Sequence, residues 1–426
     1  MSDLDPALTR AWVLHPDIIR KDAQIRTAAH ALDEAVALAE AMPGLEIVGA
    51  EVVRLKKPHP GLLFGTGKLE EIRLALKAAE VELVLIDGPV SPVQQRNLEK
   101  KWAVKILDRT GLILEIFSDR ARTREGVLQV EMAALSYQRT RLVRAWTHLE
   151  RQRGGLGFVG GPGETQIEAD RRAIDEQLVR LRRQLAKVVK TRELHRKSRA
   201  KVPFPIVALV GYTNAGKSTL FNRLTGADVM AKDMLFATLD PTMRKVKLPT
   251  SGLEVILSDT VGFISNLPTE LVAAFRATLE EVLSADLILH IRDIAHAETD
   301  AQAQDVKTIL ESLGIDGETP FFEVLNKVDL LEEDAQQATR TQAARSDGVF
   351  AVSALTGDGL DGLLAAIAES LQGLKKREAL ALGFNEGRKR AWLFEQGVVE
   401  AERQSEDGYT LKVNWTKRQS DQFRKL

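Results

Sequence analysis

The sequence predicts a multidomain α/β protein, and three observations carry this prediction. Apolar strand segments alternate with helical segments through the first 120 residues. A long basic stretch with helical periodicity follows. A glycine-rich loop of the pattern G-x-x-x-x-G-K-[ST] then joins an apolar strand to a helix, which is typical of a doubly wound domain. At 426 residues the chain is long enough for three or four domains.

The N-terminal third, residues 1–120, is predicted to form an α/β domain with a small parallel sheet. Predicted strands and helices alternate at residues 11–14, 23–41, 45–53, 67–79, 81–86, 91–101 and 104–107. Gly65-Thr-Gly-Lys68 imitates a phosphate-binding loop, but Leu62 and Leu69 replace residues that the pattern requires. We interpret this segment as the start of a helix, and a weak second nucleotide site is the alternative.

Residues 121–202 are predicted to form an antiparallel helical hairpin. Apolar residues three, four and seven positions apart indicate two helices, at 123–153 and 164–200, with coiled-coil-like packing. The tip loop between them, residues 154–163, contains six glycines in ten residues. Such a backbone can approach a crowded surface closely.

Charge is concentrated in the same region. Residues 120–201 hold 20 lysines and arginines against 9 aspartates and glutamates, a local charge of +11, although the whole chain carries −1. This asymmetry favours phosphate-directed, salt-sensitive contact with RNA, and the alternative is a solvated charged hairpin. The candidate contact residues flank or form the tip: Arg139, Arg144, Arg151, Arg153, Gly154, Gly155, Gly157, Arg171 and Arg172.

The glycine-rich loop runs from Gly211 to Ser218, between a strand at 206–210 and a helix at 219–224. Backbone amides of such a loop wrap phosphates, and the helix N-terminus adds a favourable dipole. Lys217 is expected to reach the β- and γ-phosphates, and Ser218 to ligate Mg²⁺. The candidate phosphate-binding residues are Gly211, Asn214, Gly216, Lys217, Ser218 and Thr219.

The base of the nucleotide is predicted from Asn326-Lys327-Val-Asp329, which follows an apolar strand at 321–325. The Asp329 carboxylate can accept hydrogen bonds from guanine N1 and N2, whereas adenine would leave it unpaired. Asn326 and Lys327 would complete the pocket. Backbone amides of Ser353 and Ala354 are placed to meet guanine O6. The sequence therefore favours GTP over ATP.

Two further segments indicate a nucleotide switch. Asp259-Thr-Val-Gly262 follows a strand at 255–258, so Asp259 would hold Mg²⁺ through water and the Gly262 amide would contact the γ-phosphate. Thr238, rather than the alternative Thr242, is predicted to close over Mg²⁺, which makes Ser218, Thr238 and Asp259 the metal residues. These elements in this order predict a Ras-like, doubly wound GTP-binding domain (the G domain) at residues 203–372.

The predicted site lacks two usual catalytic groups. Phe263 follows Gly262 where many such enzymes place a glutamine that orients water, and no arginine finger is identifiable. We therefore expect slow hydrolysis by the isolated chain. Asn214 occupies the loop position that holds K⁺ in potassium-activated GTPases; an asparagine that merely tolerates the tight backbone is the alternative.

Composition excludes several classes of protein. The chain has no cysteine, so disulfide and thiolate chemistry are absent, and its seven histidines show no metal-ligand spacing. No apolar run approaches 18 residues, and no lipidation site is present. We expect a soluble cytoplasmic protein without a membrane partner, and a membrane-signalling GTPase is disfavoured. An RNA-modifying enzyme is also disfavoured, since no flavin or methyl-donor motif occurs.

The segments that precede the G domain carry a resemblance. They are His59-Pro60, Phe64-Gly-Thr-Gly-Lys68, Asp108-Arg-Thr-Gly-Leu-Ile-Leu-Glu-Ile-Phe117 and Gly161-Pro-Gly-Glu-Thr-Gln-Ile-Glu-Ala-Asp-Arg-Arg172. From about residue 10 to 372 the chain resembles the HflX family of ribosome-associated GTPases. The resemblance implies binding to the large (50S) ribosomal subunit and its rRNA, stimulation by the ribosome, and splitting or rescue of stalled 70S ribosomes. It also implies that the hairpin tip reaches toward the peptidyl-transferase region.

Residues 373–426 are predicted to form a small C-terminal α/β domain. We interpret residues 375–377 as a linker, and 391–394 and 409–413 as strands. The whole chain is expected to act as a monomeric, partly ribosome-associated GTPase switch that hydrolyses GTP to GDP and phosphate. A passive GTP-dependent ribosome assembly factor without splitting activity is the alternative.

Overall fold

Three β-sheets and a pair of long helices make up the part of the chain that the computed structural model describes. The described residues are 8–19, 26–152, 162–199, 204–227, 235–236, 242–249, 251–265, 282–315, 319–373, 375–405 and 408–424. No helix among them is long and apolar enough to cross a membrane.

The N-terminal domain contains a parallel sheet, as predicted, and its four strands lie in the order β2-β1-β3-β4. Its strands are β1 (Thr9–Ile18), β2 (Leu45–Leu55), β3 (Leu83–Ile86) and β4 (Lys105–Asp108). Its helices are α1 (Ala28–Glu40), α2 (Thr66–Ala78), α3 (Pro92–Trp102) and α4 (Arg109–Arg120). Apolar residues from both faces of the sheet are buried, which is usual for a parallel sheet covered by helices.

Two helix starts in this domain follow from their capping residues. Gly65 is the N-cap of α2, so the loop-like segment at 65–68 is a helix start, and Lys68 pairs with Glu51 and Glu71 at 2.9 and 2.7 Å. Asp108 caps α4 by accepting a hydrogen bond from the Gly111 amide at 2.8 Å. Helix α4 was not among the predicted elements.

Two long helices follow, α5 (Arg124–Gln152) and α6 (Pro162–Arg199), as the hairpin prediction required. They run antiparallel, since Glu131 lies near Gln177 and Arg139 lies near Asp175. Apolar side chains are buried on both helices: Leu128, Val130, Leu178 and Leu181. The predicted tip loop lies outside the described residues except for its last two positions, which begin α6.

The G domain is a six-stranded sheet in the order β10-β9-β8-β5-β7-β6, parallel except for β6. Its strands are β5 (Ile206–Gly211), β6 (Thr242–Lys247), β7 (Glu254–Asp259), β8 (Leu287–Asp293), β9 (Phe321–Asn326) and β10 (Val349–Ala351). Its described helices include α7 (Lys217–Thr225), α8 (Thr299–Ser312), α9 (Glu333–Ala344) and α10 (Leu360–Gly373). The carboxyl ends of the parallel strands meet at one edge, where ligands bind in open α/β sheets.

The C-terminal part is an antiparallel sheet in the order β11-β13-β12, with two helices. Its elements are β11 (Lys375–Gly383), α11 (Gly387–Glu395), β12 (Val399–Ser405), β13 (Gly408–Thr416) and α12 (Lys417–Arg424). The predicted strand at 409–413 is confirmed within β13.

Two predictions for this part are wrong. Residues 375–377, interpreted as a linker, begin β11. Residues 391–394, predicted as a strand, lie in α11, where Leu393 is fully buried and its neighbour Phe394 is 48% exposed. A four-residue apolar run fits a helix or a strand equally well, and only packing distinguishes them.

Candidate nucleotide-binding site

The phosphate-binding loop follows β5, an interior strand of the sheet, and α7 begins at its end. At two of its positions another atom lies too close to the backbone for any side chain, so glycine is required there. A Cβ on Gly211 would lie 2.2 Å from the Ile291 carbonyl oxygen, and one on Gly216 would lie 2.2 Å from Asn326 Nδ2. Gly216 and Asn214 also have left-handed backbone, with φ of 94° and 59°. The loop's residue types therefore follow from its geometry.

Lys217, the first residue of α7, is buried against the loop backbone. Its Nζ donates to the carbonyl oxygens of Gly211 and Tyr212, at 3.1 and 2.7 Å. Burial lowers the pKa of Lys217 to about 8, although the Asp259 carboxylate opposes this shift. Phosphate oxygens are stronger acceptors of a charged donor than carbonyl oxygens, so bound phosphate can redirect this ammonium group.

Two oxygen ligands suited to Mg²⁺ meet beside the loop. The Ser218 hydroxyl, in the first turn of α7 next to Thr219, donates to Asp259 Oδ2 at 2.7 Å, and Asp259 is fully buried at the end of β7. In nucleotide sites, Mg²⁺ takes one or two protein oxygens and completes its shell with phosphate and water. The pair fits such an ion. The third predicted metal residue, Thr238, lies outside the described residues.

The segment after β7 lies directly on the phosphate loop. The Thr213 amide donates to the Phe263 carbonyl oxygen at 2.7 Å, and the Phe263 amide donates to the Gly211 carbonyl oxygen at 3.1 Å. A Cβ on Gly262 would lie 2.8 Å from Thr213 Cα and 3.0 Å from Lys217 Nζ. Only glycine permits this approach. The Phe263 side chain is buried in the core and offers no polar group to a water molecule.

On the base side, Asn326 links two loops. Its Nδ2 donates to the Ala215 carbonyl oxygen at 2.8 Å, and its Oδ1 accepts from the Ala354 amide at 2.9 Å. The side chain is buried at the end of β9. One residue thereby fixes the distance between the phosphate loop and the loop after β10.

The remaining residues predicted for the base pocket lie on the same loops as Asn326 and Ala354. Lys327 has left-handed backbone (φ 67°), and its Nζ pairs with Asp293 at 2.7 Å. Asp329 lies half-buried in a single 3₁₀ turn, and no described residue hydrogen-bonds to its carboxylate. Ser353 is fully buried, and its hydroxyl accepts from the Thr356 amide at 3.0 Å, which shapes the turn that presents the Ala354 amide.

The candidate RNA contacts are only partly described. Arg139 pairs with Asp175 at 2.8 Å across the two long helices. Arg171 is exposed, and Arg172 lies 3.8 Å from Glu168 on the same helix. Arg144 and Arg151 lie on α5, but their side chains are outside the described set, as are the whole residues Arg153, Gly154, Gly155 and Gly157.

Sequence analysis missed a set of N-terminal-domain residues that contact the surroundings of this site. Glu34 and Arg109 reach Tyr212 and Ser265, and Phe117 and Arg120 reach the segment at 235–236. These residues come from distant parts of the chain and form no local pattern. The only available signal was the family-like segment at 108–117.

The comparisons with known proteins agree with this geometry. Family models match residues 29–118 (GTP-binding GTPase N-terminal), 120–199 (GTP-binding GTPase middle region), 206–327 (50S ribosome-binding GTPase) and 338–426 (HflX C-terminal domain).

Curated relatives cover most of the chain. It is 49% identical to a GTPase HflX of Magnetococcus marinus over 382 residues, which is 90% of this chain and 87% of the relative. It is 47% identical to the GTPase HflX of Escherichia coli over 365 residues, 86% and 85% of the two chains. The crystal structure of SsGBP in complex with GDP shares the fold, with a TM-score of 0.50, 23% identity, and coverage of 85% and 98%. The chain therefore belongs to the HflX family, and it is a GTP-hydrolysing enzyme with a P-loop fold.

Proposed function

We propose that this GTPase binds the large ribosomal subunit in its GTP state, splits or rescues stalled 70S ribosomes, and is stimulated by the ribosome to hydrolyse GTP. The observation that carries the proposal is the joining, in one chain, of a GTP site to a helical pair within a region of net charge +11. The description of the family model over residues 206–327 supports the same partner.

In this proposal the loop residues hold the phosphates and a Mg²⁺ ion. The backbone from Gly211 to Gly216 wraps the phosphates, Lys217 turns from its carbonyl partners to the β- and γ-phosphates, and Thr219 adds its amide. Ser218, Asp259 and Thr238 would hold Mg²⁺, which would supply positive charge to the phosphates. The short Ser218–Asp259 hydrogen bond supports this assignment.

Guanine selectivity is assigned to the base-side residues. The Asp329 carboxylate accepts from guanine N1 and N2, the Lys327 stem covers the ring, and the backbone amides of Ser353 and Ala354 meet O6. The support is Asn326, which ties the loop after β10 to the phosphate loop; in this proposal guanine O6 takes the Ala354 amide in place of Asn326 Oδ1. An adenine base would leave the Asp329 carboxylate without its donors.

Hydrolysis by the isolated chain is proposed to be slow because Phe263 cannot orient water. An external positive group contributes roughly 10³–10⁵ in rate where an arginine finger acts, so the ribosome is proposed to complete the site. K⁺ at Asn214 stays a prediction. The left-handed backbone at Asn214 already accounts for asparagine there, since asparagine tolerates φ of 59°.

The helical pair is proposed to contact rRNA phosphates through its arginines. Arg171 is exposed and available to such contacts, whereas Arg139 would exchange Asp175 for a phosphate. We further propose that the protein is a monomer located in the cytoplasm, partly bound to ribosomes.

The first experiment measures GTP hydrolysis by the purified chain with and without purified 50S subunits. Strong stimulation of hydrolysis by 50S subunits is expected. Slow turnover in both cases would overturn the ribosomal proposal and leave the GTP site standing. Parallel assays in K⁺ and in Na⁺ at equal ionic strength test the potassium role of Asn214. Equal rates in K⁺ and Na⁺ would refute the potassium role.

Sedimentation separates splitting from the alternative of a passive assembly factor. With a non-hydrolysable GTP analogue, 70S particles are expected to convert to 30S and 50S subunits in a sucrose gradient. The Lys217→Ala variant, which lacks the phosphate-binding ammonium, is the matched negative control. Binding to 50S subunits without loss of the 70S peak would favour the assembly factor.

A further inference from the structure

A cluster of buried polar residues joins the N-terminal domain to the G domain beside the nucleotide site. Arg109 lies at its centre. Its guanidinium donates to Asp87 and Glu34 at 2.5 Å each, and to the carbonyl and hydroxyl oxygens of Ser265 at 3.0 Å each. Only 7% of the Arg109 side chain is exposed. A buried arginine with two carboxylate partners has a fixed position, because losing either partner leaves buried charge uncompensated.

Glu34 connects this arginine to the phosphate loop. One of its carboxylate oxygens accepts from Arg109 and the Ser265 hydroxyl, and the other accepts from the Tyr212 hydroxyl. Tyr212 in turn accepts from the Ser265 amide at 2.6 Å. Burial would raise the pKa of Glu34, but Arg109 and the two hydroxyl donors outweigh it and hold this pKa below its ordinary value. The Glu34 carboxylate therefore hydrogen-bonds both to the phosphate loop, through Tyr212, and to the segment after β7, through Ser265.

The segment that Glu34 contacts through Ser265 is the same segment that lies on the phosphate loop. Ser265 is two residues beyond Phe263, whose backbone pairs with Gly211 and Thr213. In this arrangement Gly262 is packed against Lys217, and the Lys217 ammonium is directed at loop carbonyl oxygens. Fixing Ser265 therefore fixes the backbone that must respond to the γ-phosphate.

The N-terminal domain also holds the other side of the site. Arg120 donates to the carbonyl oxygens of Leu235 and Phe236 at 3.2 and 2.7 Å, and the Phe117 ring packs edge-on against Phe236 at 4.6 Å. Phe236 has a φ of 55°, which is strained for a bulky residue and persists only where contacts enforce it. Phe236 lies two residues before Thr238, the predicted metal residue of the first switch.

We propose that Glu34 and Arg109 are positioning residues through which the N-terminal domain holds the 262–265 segment on the phosphate loop, and that this clamp and a bound γ-phosphate compete for that segment. The clamp is defined as Glu34, Asp87 and Arg109 with Tyr212 and Ser265. The competition arises because γ-phosphate binding draws Lys217 from its carbonyl partners and recruits the Gly262 amide. GTP thus loosens the clamp, and an intact clamp disfavours GTP relative to GDP.

The inference rests on the GTPase activity and not on the ribosomal proposal, so its test contains no ribosome. The Glu34→Gln variant keeps the shape of the side chain but removes the charge that pairs with Arg109 and Arg26 and that accepts from the hydroxyls of Tyr212 and Ser265. The dissociation constants of GDP and of guanosine β,γ-imidotriphosphate are measured by fluorescence titration. The ratio of the two constants is expected to shift toward the triphosphate by about five-fold or more, since coupling between sites is commonly of this size.

Glu298→Gln is the matched control. Glu298 is another carboxylate at the same domain interface, where it accepts from the Thr27 amide at 2.9 Å and lies 3.3 Å from His30 Nδ1. It contacts neither the phosphate loop nor Ser265 among the described residues. A general loosening of the interface would alter both variants alike, whereas the clamp predicts a ratio within about two-fold of wild type for Glu298→Gln.

A second variant keeps the test decisive if Glu34→Gln fails to fold. Ser265→Ala removes the hydroxyl that contacts both Glu34 and Arg109 while leaving the buried charge pair intact. It is expected to shift the ratio in the same direction by a smaller factor. An unchanged ratio in a folded variant, or an equal shift in Glu298→Gln, would overturn the proposal.

Discussion

At the scale of single residues, the nucleotide site is organised by close backbone approach and by a few buried polar groups. Gly211, Gly216 and Gly262 are glycines because another atom occupies the space a side chain would need. Lys217 and Asn326 are buried polar side chains whose donors meet backbone carbonyl oxygens. Such groups cost free energy unless they are hydrogen-bonded, so each has a defined position before nucleotide arrives.

Lys217 gives a prediction about protons. Its pKa is about 8 because burial disfavours the ammonium form, and a bound phosphate restores that form. Above about pH 8 the free protein has lost a proton that the complex retains, so nucleotide binding takes up a proton. Affinity for GDP therefore falls as pH rises, by at most about ten-fold per pH unit.

Titration calorimetry in two buffers of different ionisation enthalpy measures this uptake at about pH 8.5. Lys217→Arg is the control, because its guanidinium does not titrate in this range. An absence of proton uptake at every pH would contradict the assignment of Lys217 to the phosphates.

Gly262 gives a prediction about hydrolysis. Gly262→Ala places a Cβ 2.8 Å from Thr213 Cα and 3.0 Å from Lys217 Nζ, so the backbone that carries the Gly262 amide must shift. GTP hydrolysis is expected to fall by about ten-fold or more, since a displaced amide donor costs up to 10²–10³ in rate. Gly362→Ala is the control, because nothing lies within 4 Å of that position. Single-turnover rates of GTP hydrolysis by both variants test this prediction. A similar loss of rate in Gly262→Ala and Gly362→Ala would refute it.

At the scale of elements, local chain signals explain most helices and strands. Ser91 and Gln94 form a capping box at the start of α3, and Asp108 caps α4. The long helices α5 and α6 depend more on packing: they contact each other, and α5 also packs against α3 and α4 and buries Val130 in the core shared with the N-terminal domain. Helical stability in proteins comes mainly from such packing.

The helix pair gives a prediction about stability. Leu178 is 2% exposed and the adjacent Val179 is 43% exposed on the same helix. Leu178→Ala is expected to lower the free energy of unfolding by about 2–5 kcal/mol, through lost burial and a residual cavity. Val179→Ala is expected to change it by at most about 0.5 kcal/mol. Urea denaturation followed by circular dichroism measures both, and equal effects would show that α5 and α6 do not pack through this face.

At the scale of the whole molecule, the positively charged helix pair and the nucleotide site belong to different domains. A shared apolar core joins the G domain to α5. Apolar residues of the N-terminal domain, α5 and the G domain form a continuous buried cluster, which includes Phe117, Val130, Phe236 and Phe263. These packed contacts connect the segments that flank the nucleotide site to the first half of α5.

The positive charge of the helix pair gives a prediction about ribosome binding. Arg171→Glu is expected to weaken binding to 50S subunits and to reduce the slope of log affinity against log salt by about one, as the loss of one phosphate contact requires. Arg345→Glu is the matched control, since Arg345 is exposed on the G domain, outside the basic region. Pelleting with 50S subunits across a salt series measures both slopes. Equal slopes for wild type and Arg171→Glu would remove Arg171 from the contact.

Sequence by itself determined the fold class and the family, and it predicted the residues of the nucleotide site. Motifs such as Gly211 to Ser218 are contiguous, so their chemistry is readable without knowing what packs around them. The prediction of a parallel N-terminal sheet needed only the alternation of strands and helices, whereas the strand order came from the structure. These features depend on local backbone geometry, which consecutive residues specify.

Only the tertiary structure decided the secondary structure of short apolar segments and the contacts between distant polar residues. Residues 391–394 became a helix because packing buried Leu393 and left Phe394 exposed, which a short apolar run cannot reveal. The clamp joins Glu34 to Ser265 across 231 residues, and ordinary glutamate, arginine, tyrosine and serine carry no pattern that predicts their meeting. Long-range polar contacts of this kind are specified by the packing of whole domains, and the nucleotide site acquires its neighbours through that packing.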